Sequence, residues 1–256
     1  MTAPKKELGQ HWLFDEDSLQ AMCGSARLKT SDTVLEIGPG LGTLTSKLVH
    51  KVRKVIAVEV DAGLARKLPA AINAGNLEIH HSDILTFDLT ELPSGYKVVA
   101  NIPYYLTSNL VRVLSESTNP PQSATLLVQK EVAERIAALP GSMSLLSVTA
   151  QAYFELELGM AVPARLFKPP PKVDSRIIHL ERRRKPLYAP YGEKQFFRTV
   201  KAGFSNRRKT LLNSLSAGFM LSKEQTLLLL EEAQINPQSR PQELRLEDWI
   251  RLAGSL

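Results

Sequence analysis

Residues 98–107 read VVANIPYYLT, a strand-forming apolar run that breaks at Asn101-Ile102-Pro103-Tyr104. These residue types suit one kind of chemistry. The side-chain oxygen of Asn101 and a neighbouring main-chain carbonyl, that of Ile102, can accept both hydrogens of an exocyclic amine. Pro103 stiffens the turn and keeps residue 102 out of helical geometry, and Tyr104 can stack on a flat ring, an interaction worth about 1–3 kcal/mol per base. An aromatic amine is a poor nucleophile because its lone pair is delocalised into the ring. Two acceptors holding its hydrogens favour a pyramidal nitrogen whose lone pair can reach an electrophile. The same four residues could also simply end a strand in a turn.

A second set of residues lies upstream. Glu36 to Gly42 read EIGPGLG, with Gly38, Gly40 and Gly42 at alternate positions. Such glycines let the backbone turn tightly and approach a ligand without Cβ clashes. The Gly-x-Gly-x-Gly spacing departs from the dinucleotide fingerprint Gly-x-Gly-x-x-Gly. Glu59 falls about 20 residues further on, where an acid can accept both hydroxyls of a ribose, with Asp61 as the alternative. Asp83, in HSDIL, is placed to accept from an adenine amino group beside that ribose. Taken singly, each acid reads equally as a solvated strand-end residue. On successive strand ends beside a glycine turn, they point to a nucleoside.

The elements needed to position these residues are legible in the same stretch. Short β-branched runs at 33–37, 54–60, 76–81, 97–101 and 124–129 alternate with helically spaced LTSKLVHK, GLARKLPAAI and SNLVRVLSES. This alternation predicts βαβ units and a mostly parallel sheet buried on both faces, an α/β fold. SRIIHLER at 175–182 is expected to return as an antiparallel edge strand. After Pro186 the pattern turns helical. Phe197, Val200, Phe204, Leu211 and Leu215 share one face, with a break near Gly203 and Ser205. Ser222 with Gln225 forms a capping box, and a last short helix centres on Trp249. The expected organisation is a nucleoside-binding catalytic domain over 1–186 and a small helical domain over 187–256.

Charge adds a partner class. Between Arg165 and Lys209 stand 14 Lys and Arg against 3 Asp and Glu, so this span carries +11 of a net +6 and the remainder sums to −5. Basic charge concentrated in this way suits a polyanion, most often nucleic acid, or a solvated basic surface. Cys23 is the one cysteine, which excludes an internal disulfide and a cysteine-based zinc site and fits a reducing compartment. The five histidines show no ligand spacing, so no metal is expected, and His80 and His81 should face opposite sides of a strand. No signal peptide or membrane span is read, and a cytoplasmic monomer is expected.

In combination and order, LGQHWLFD, EIGPGLGTLT, VEVD, NIPYYLTS, QKEVAERI, FKPPPKVDS and FSNRRKTLLNSL give the chain a resemblance, from about Leu8 to Trp249, to the small-subunit ribosomal RNA adenine N6,N6-dimethyltransferase family. The resemblance implies a class I, S-adenosylmethionine-dependent methyltransferase with a Rossmann-like sheet. It also implies dimethylation of two adjacent adenosines in a hairpin loop near the 3′ end of 16S rRNA, with a role in small-subunit biogenesis. By motif position, His11 and Leu13 match the amino-terminal cofactor segment, Gly38 and Gly40 the glycine turn, Glu59 the ribose acid and Asp83 the adenine contact. Asn101 matches the amine acceptor and is also expected among the cofactor-binding positions, and Tyr104 matches the stacking aromatic, with Ile102 and Pro103 between them. Arg207, Arg208 and Lys209 in the basic helical domain are the candidate phosphate contacts on rRNA and the assembling small subunit.

His11 stands where many members carry Asn, and Trp12 where Phe is usual. PGSMSLLSV lacks a Tyr-Gly pair and is about two residues short, and the arm before Leu8 is short as well. The rival readings are a macrolide-resistance methyltransferase of large-subunit rRNA, which shares NIPY but typically lacks RRKTL, a non-catalytic ribosome-assembly factor, and a nicotinamide dehydrogenase. The last lacks its fingerprint spacing and gives NIPY no purpose.

Overall fold

The computed structural model describes residues 4–256. A short strand β1 (Trp12–Leu13) and helix α1 (Glu16–Ser25) lead into an alternating series: β2 (Thr33–Ile37), α2 (Thr45–Leu48), β3 (Lys54–Glu59), α3 (Ala62–Ile72), β4 (Leu77–His81), β5 (Lys97–Asn101), α4 (Thr107–Glu116) and β6 (Ser123–Gln129). Helices α5 (Lys130–Ile136) and α6 (Leu145–Tyr153) then precede β7 (Phe154–Val162), β8 (Phe167–Lys168) and β9 (Ser175–Arg182). The chain closes with α7 (Glu193–Gly203), α8 (Leu211–Phe219), α9 (Lys223–Glu232) and α10 (Leu246–Gly254). No helix among the described residues is long and apolar enough to cross a membrane.

The order of the sheet explains where a ligand can bind. Seven strands run β4-β3-β2-β5-β6-β9-β7. The chain winds from β2 outward through β3 to β4, then returns to the other side of β2 for β5 and β6, all in parallel pairing. The winding direction therefore reverses between β2 and β5, which opens a crevice beyond their carboxyl ends. All five residues of β2 are buried. One face of the sheet packs Val34, Val55, Val99, Leu127 and Ile177 against Leu19 and Met22 of α1 and Leu48 of α2. Each such side chain contributes about 1.5–3 kcal/mol when fully buried.

Strand β9 pairs antiparallel with β6, from Ser123 opposite Glu181 to Gln129 opposite Ser175, as its composition suggested. It is not the edge strand, however, because β7 lies outside it. The sequence of β7, FELELGMAV, alternates apolar and acidic residues, the period-2 signal of a half-covered strand. A separate two-stranded ribbon pairs Leu13 of β1 with Phe167 of β8, which joins the amino-terminal segment to the FKPPP loop.

The chain divides into two compact units. One comprises residues up to 133 together with 156–182, and the other 134–155 together with 183–256. The helical unit thus takes in 134–155 in addition to the carboxyl-terminal stretch expected from 187 onward. Within it, Val200, Leu211 and Leu215 of the expected face are buried, as are Phe196 and Trp249, whereas Phe197 and Phe204 are only half-buried, and the break between α7 and α8 falls at residues 204–210. The Ser222–Gln225 capping box is present in both directions. Gly203 is required by packing, since a Cβ there would lie 2.8 Å from Cζ3 of Trp249.

Candidate functional site

At the end of β2 the backbone enters a turn that only glycines accept readily, with φ of +65° at Gly38, +58° at Gly40 and +83° at Gly42. Gly38 N–H donates to the Val58 carbonyl at 2.9 Å, so the turn stays tied to β3 one residue beyond the strand. Gly40 N–H donates to Glu59 Oε2 at 3.0 Å, and Asp61 N–H donates to Oε1 at 2.9 Å. Glu59 is 3% exposed. Burial raises its pKa, while the Asp61 and Gly40 donors act against that shift. Each of its carboxylate oxygens takes one backbone donor and keeps a lone pair, enough to accept the two hydroxyls of a ribose.

Asp61, the alternative acid, is committed elsewhere. Its Oδ1 caps α3 by accepting Gly63 and Leu64 N–H, and Lys5 Nζ lies 2.9 Å from its Oδ2. Asp83 follows β4 in a turn in which its Oδ1 accepts Leu85 N–H at 2.9 Å and its carbonyl accepts the amides of Thr86 and Phe87. Ser82 N–H donates to the Glu59 carbonyl at 3.1 Å, which joins this turn to β3.

Asn101 ends β5, and its Nδ2 donates to the main-chain carbonyl of His11 at 3.3 Å. A carbonyl can only accept, so this contact fixes the amide's orientation and leaves Oδ1 as the acceptor it presents. Among the described residues nothing donates to the Ile102 carbonyl. Pro103, at φ −56°, starts a single 3-10 turn over Tyr104–Leu106. The Tyr104 phenol sits 2.7 Å from Ser175 Oγ, and burial raises its pKa. Its ring stacks on His11 with centroids 5.9 Å apart and planes 20° from parallel. His11 Nδ1 lies 2.7 Å from the Pro169 carbonyl, so this nitrogen carries the proton and donates.

These parts line one cleft. Its walls include His11, Leu13, Gly38, Gly40, Glu59, Asp83, Asn101, Ile102, Pro103 and Tyr104, and its empty space, open mouth included, is about 1140 Å³. That is room for a nucleoside and a second flat ring together. Arg207, Arg208 and Lys209 are not among its lining residues. They are exposed on the 204–210 loop of the helical unit, where Asn206 Oδ1 accepts the Arg208 amide.

Glu36 and Phe167 are among the lining residues that the sequence reading did not single out. Glu36 is 1% exposed, its Oε2 has no partner among the described residues, and burial pushes its pKa up to about 8. An acid inside the apolar strand TVLEI was the signal available for it. Phe167, fully buried opposite Leu13 in the β1–β8 ribbon, also lines the cleft. Only the pairing of two sequence-distant dipeptides brings it there.

A cradle of glycines, a ribose-competent acid and an orphaned buried carboxyl oxygen fit a cationic nucleoside, as S-adenosylmethionine is. Comparison with known proteins agrees. The family model described as ribosomal RNA adenine dimethylase matches residues 1–256. A ribosomal RNA small subunit methyltransferase A from Dehalococcoides mccartyi is 41% identical over 252 residues, 97% of this chain and 87% of that protein. Among solved structures, a dimethyladenosine transferase from Plasmodium falciparum superposes with a TM-score of 0.80 at 27% identity, over 94% of this chain and 96% of that one. The 23S rRNA methyltransferase ErmE gives 0.77 at 30% identity, over 96% and 99%.

Proposed function

The chain belongs to the ribosomal RNA adenine dimethylase family, and from that premise we propose that it dimethylates N6 of two adjacent adenosines in a hairpin loop near the 3′ end of small-subunit rRNA, using S-adenosylmethionine. The observation that carries this reading is the amide of Asn101, oriented by its Nδ2 bond to the His11 carbonyl, in a residue that lines the same cleft as the glycine turn, Glu59 and Tyr104.

S-adenosylmethionine, when bound, supplies an electrophilic methyl group on a positively charged sulfur. Gly38 and Gly40 form the turn against which it rests, Glu59 accepts the ribose hydroxyls, and Asp83 accepts from the adenine amine. His11 and Leu13 close the wall from the amino-terminal side, and Glu36 offers a buried acceptor to the cationic end. Toward the target, Asn101 Oδ1 and the Ile102 carbonyl hold the amine hydrogens of the adenosine, which draws the N6 lone pair out of ring conjugation. Tyr104 stacks on the base, and the contact helps offset the few kcal/mol spent in unstacking it from its loop. The N6 proton, acidic once the nitrogen is alkylated, leaves to solvent. For the second transfer one of the two acceptor contacts must be given up to the first methyl group.

Support for the small subunit over the large comes from the 41% identical relative, which acts there by name, and from the RRKTL stretch within FSNRRKTLLNSL, which large-subunit resistance enzymes typically lack. The test is transfer of labelled methyl groups to small ribosomal subunits lacking the modification, with large subunits in parallel. Dimethyladenosine confined to the small subunit is the expected result, and label confined to the large subunit would redirect the assignment.

A further inference from the structure

Tyr105 has no part in the mechanism above. It follows Tyr104 in the same 3-10 turn, but whereas Tyr104 is half-buried with its phenol fixed to Ser175, Tyr105 is 63% exposed. It nevertheless lines the cleft. Its ring edge faces Gly9, where an added Cβ would come to 3.6 Å from Tyr105 Cδ1 and Cε1 and to 3.5 Å from Pro103 Cβ. Among the described residues no hydrogen bond or ring contact engages it. A large aromatic ring held at the mouth of a cleft, backed on one edge and open to solvent, is shaped to receive another flat ring.

The charge around the cleft favours a nucleic-acid strand as the source of that ring. Glu59 and Asp83 line the cleft itself. The segment 168–175, which holds His11 through Pro169 and Tyr104 through Ser175, carries exposed Lys168 and Lys172 against one exposed acid, Asp174. An acidic cleft repels phosphates and a basic loop attracts them, so a strand can send one base inward while its backbone stays outside.

We propose that Tyr105 is a stacking platform for the nucleotide next to the target adenosine in the RNA chain. The proposal rests on the reading of the substrate as RNA. When two adjacent adenosines are both to be methylated, the neighbour must be held outside while the first occupies the cleft. Consecutive tyrosines, one inward and one outward, divide those tasks. Stacking uses a face that every base has, so the platform holds the neighbour whether or not it is already methylated.

The test measures the dissociation constant of a loop-containing RNA hairpin, with S-adenosylmethionine present, for the wild type, Tyr105→Ala and Tyr105→Phe. The hairpins carry either the natural neighbours or an abasic site beside the target adenosine, on the 5′ or the 3′ side. Tyr105→Ala is expected to weaken binding of the natural hairpin about tenfold, with the cofactor dissociation constant unchanged, and Tyr105→Phe to recover most of the loss. On the hairpin whose abasic site removes the stacked base, alanine and wild type should bind alike. Equal binding of the natural hairpin by alanine and wild type overturns the proposal, as does a tenfold penalty that persists at both abasic positions or no measurable binding of the hairpin by the wild type. Failure of the wild type to methylate any ribosomal adenosine is a different result and removes the RNA reading itself.

Discussion

The side-chain nitrogen of Asn101 donates to the main-chain carbonyl of His11 at 3.3 Å, so the residue proposed to hold the target amine takes its orientation from the amino-terminal segment proposed to border the cofactor. The same His11 stacks its ring on Tyr104 and donates from Nδ1 to the Pro169 carbonyl. One residue thereby links the proposed cofactor wall to the tyrosine proposed to stack on the base.

That division between main chain and side chain yields a prediction. His11→Ala keeps the carbonyl that orients Asn101 but loses the ring and its bond to Pro169. Steady-state kinetics should show the RNA KM raised by about three- to tenfold, the effect of losing one stacking contact, with kcat reduced less. His11→Phe should recover part of the loss. A fall in kcat larger than the rise in KM would show that the ring acts on the chemical step instead.

Glu36 makes folding stability depend on pH. Its pKa is raised by burial from 4.5 to about 8 in the folded protein, so the native state holds a proton that the unfolded chain releases at lower pH. Its contribution is fully present below about pH 4.5 and is lost as pH rises through about 8. Thermal melts of the ligand-free protein should show Glu36→Gln losing less stability between pH 6 and 8.5 than the wild type. Parallel curves for the two proteins would contradict a protonated Glu36.

Gly203 packs where the Trp249 ring leaves no room for a methyl group. Gly203→Ala should therefore destabilise the helical unit by about 1–3 kcal/mol, the usual cost of overpacking a filled core, and lower its urea midpoint. An unchanged midpoint would mean that the α7–α10 packing yields readily.

Replacing Arg207, Arg208 and Lys209 together with Gln should weaken RNA binding and flatten its dependence on salt. If all three contact phosphates, the slope of log K against log salt should fall in magnitude by about 2–3. An unchanged slope would remove this loop from the interface.

Much of this architecture was legible in the sequence because each signal was local. The β-branched runs became β2 to β6, the Ser222–Gln225 spacing became a working cap, and NIPY ended its strand where its residue types required. What was not legible depends on contacts between distant segments. The place of β7 outside β9 is set by pairing across the FKPPP loop, and Phe167 reaches the cleft only through its ribbon with Leu13. Residues 134–155 join the helical unit by packing, not by composition. The direction of the Asn101 amide, which decides whether it can accept an amine, depends on a carbonyl 90 residues away in the chain.

The most direct measurement of the central claim is the effect of Asn101→Ala on turnover beside its effect on cofactor affinity. If Asn101 Oδ1 holds the amine during transfer, kcat should fall by about 10²–10³-fold, as for removal of one preorganised polar group at a reacting centre. The S-adenosylmethionine dissociation constant should then stay within about threefold of the wild type, since the Glu59 and glycine-turn contacts remain. Equal losses in turnover and cofactor affinity, or turnover left intact, would contradict the role assigned to Asn101.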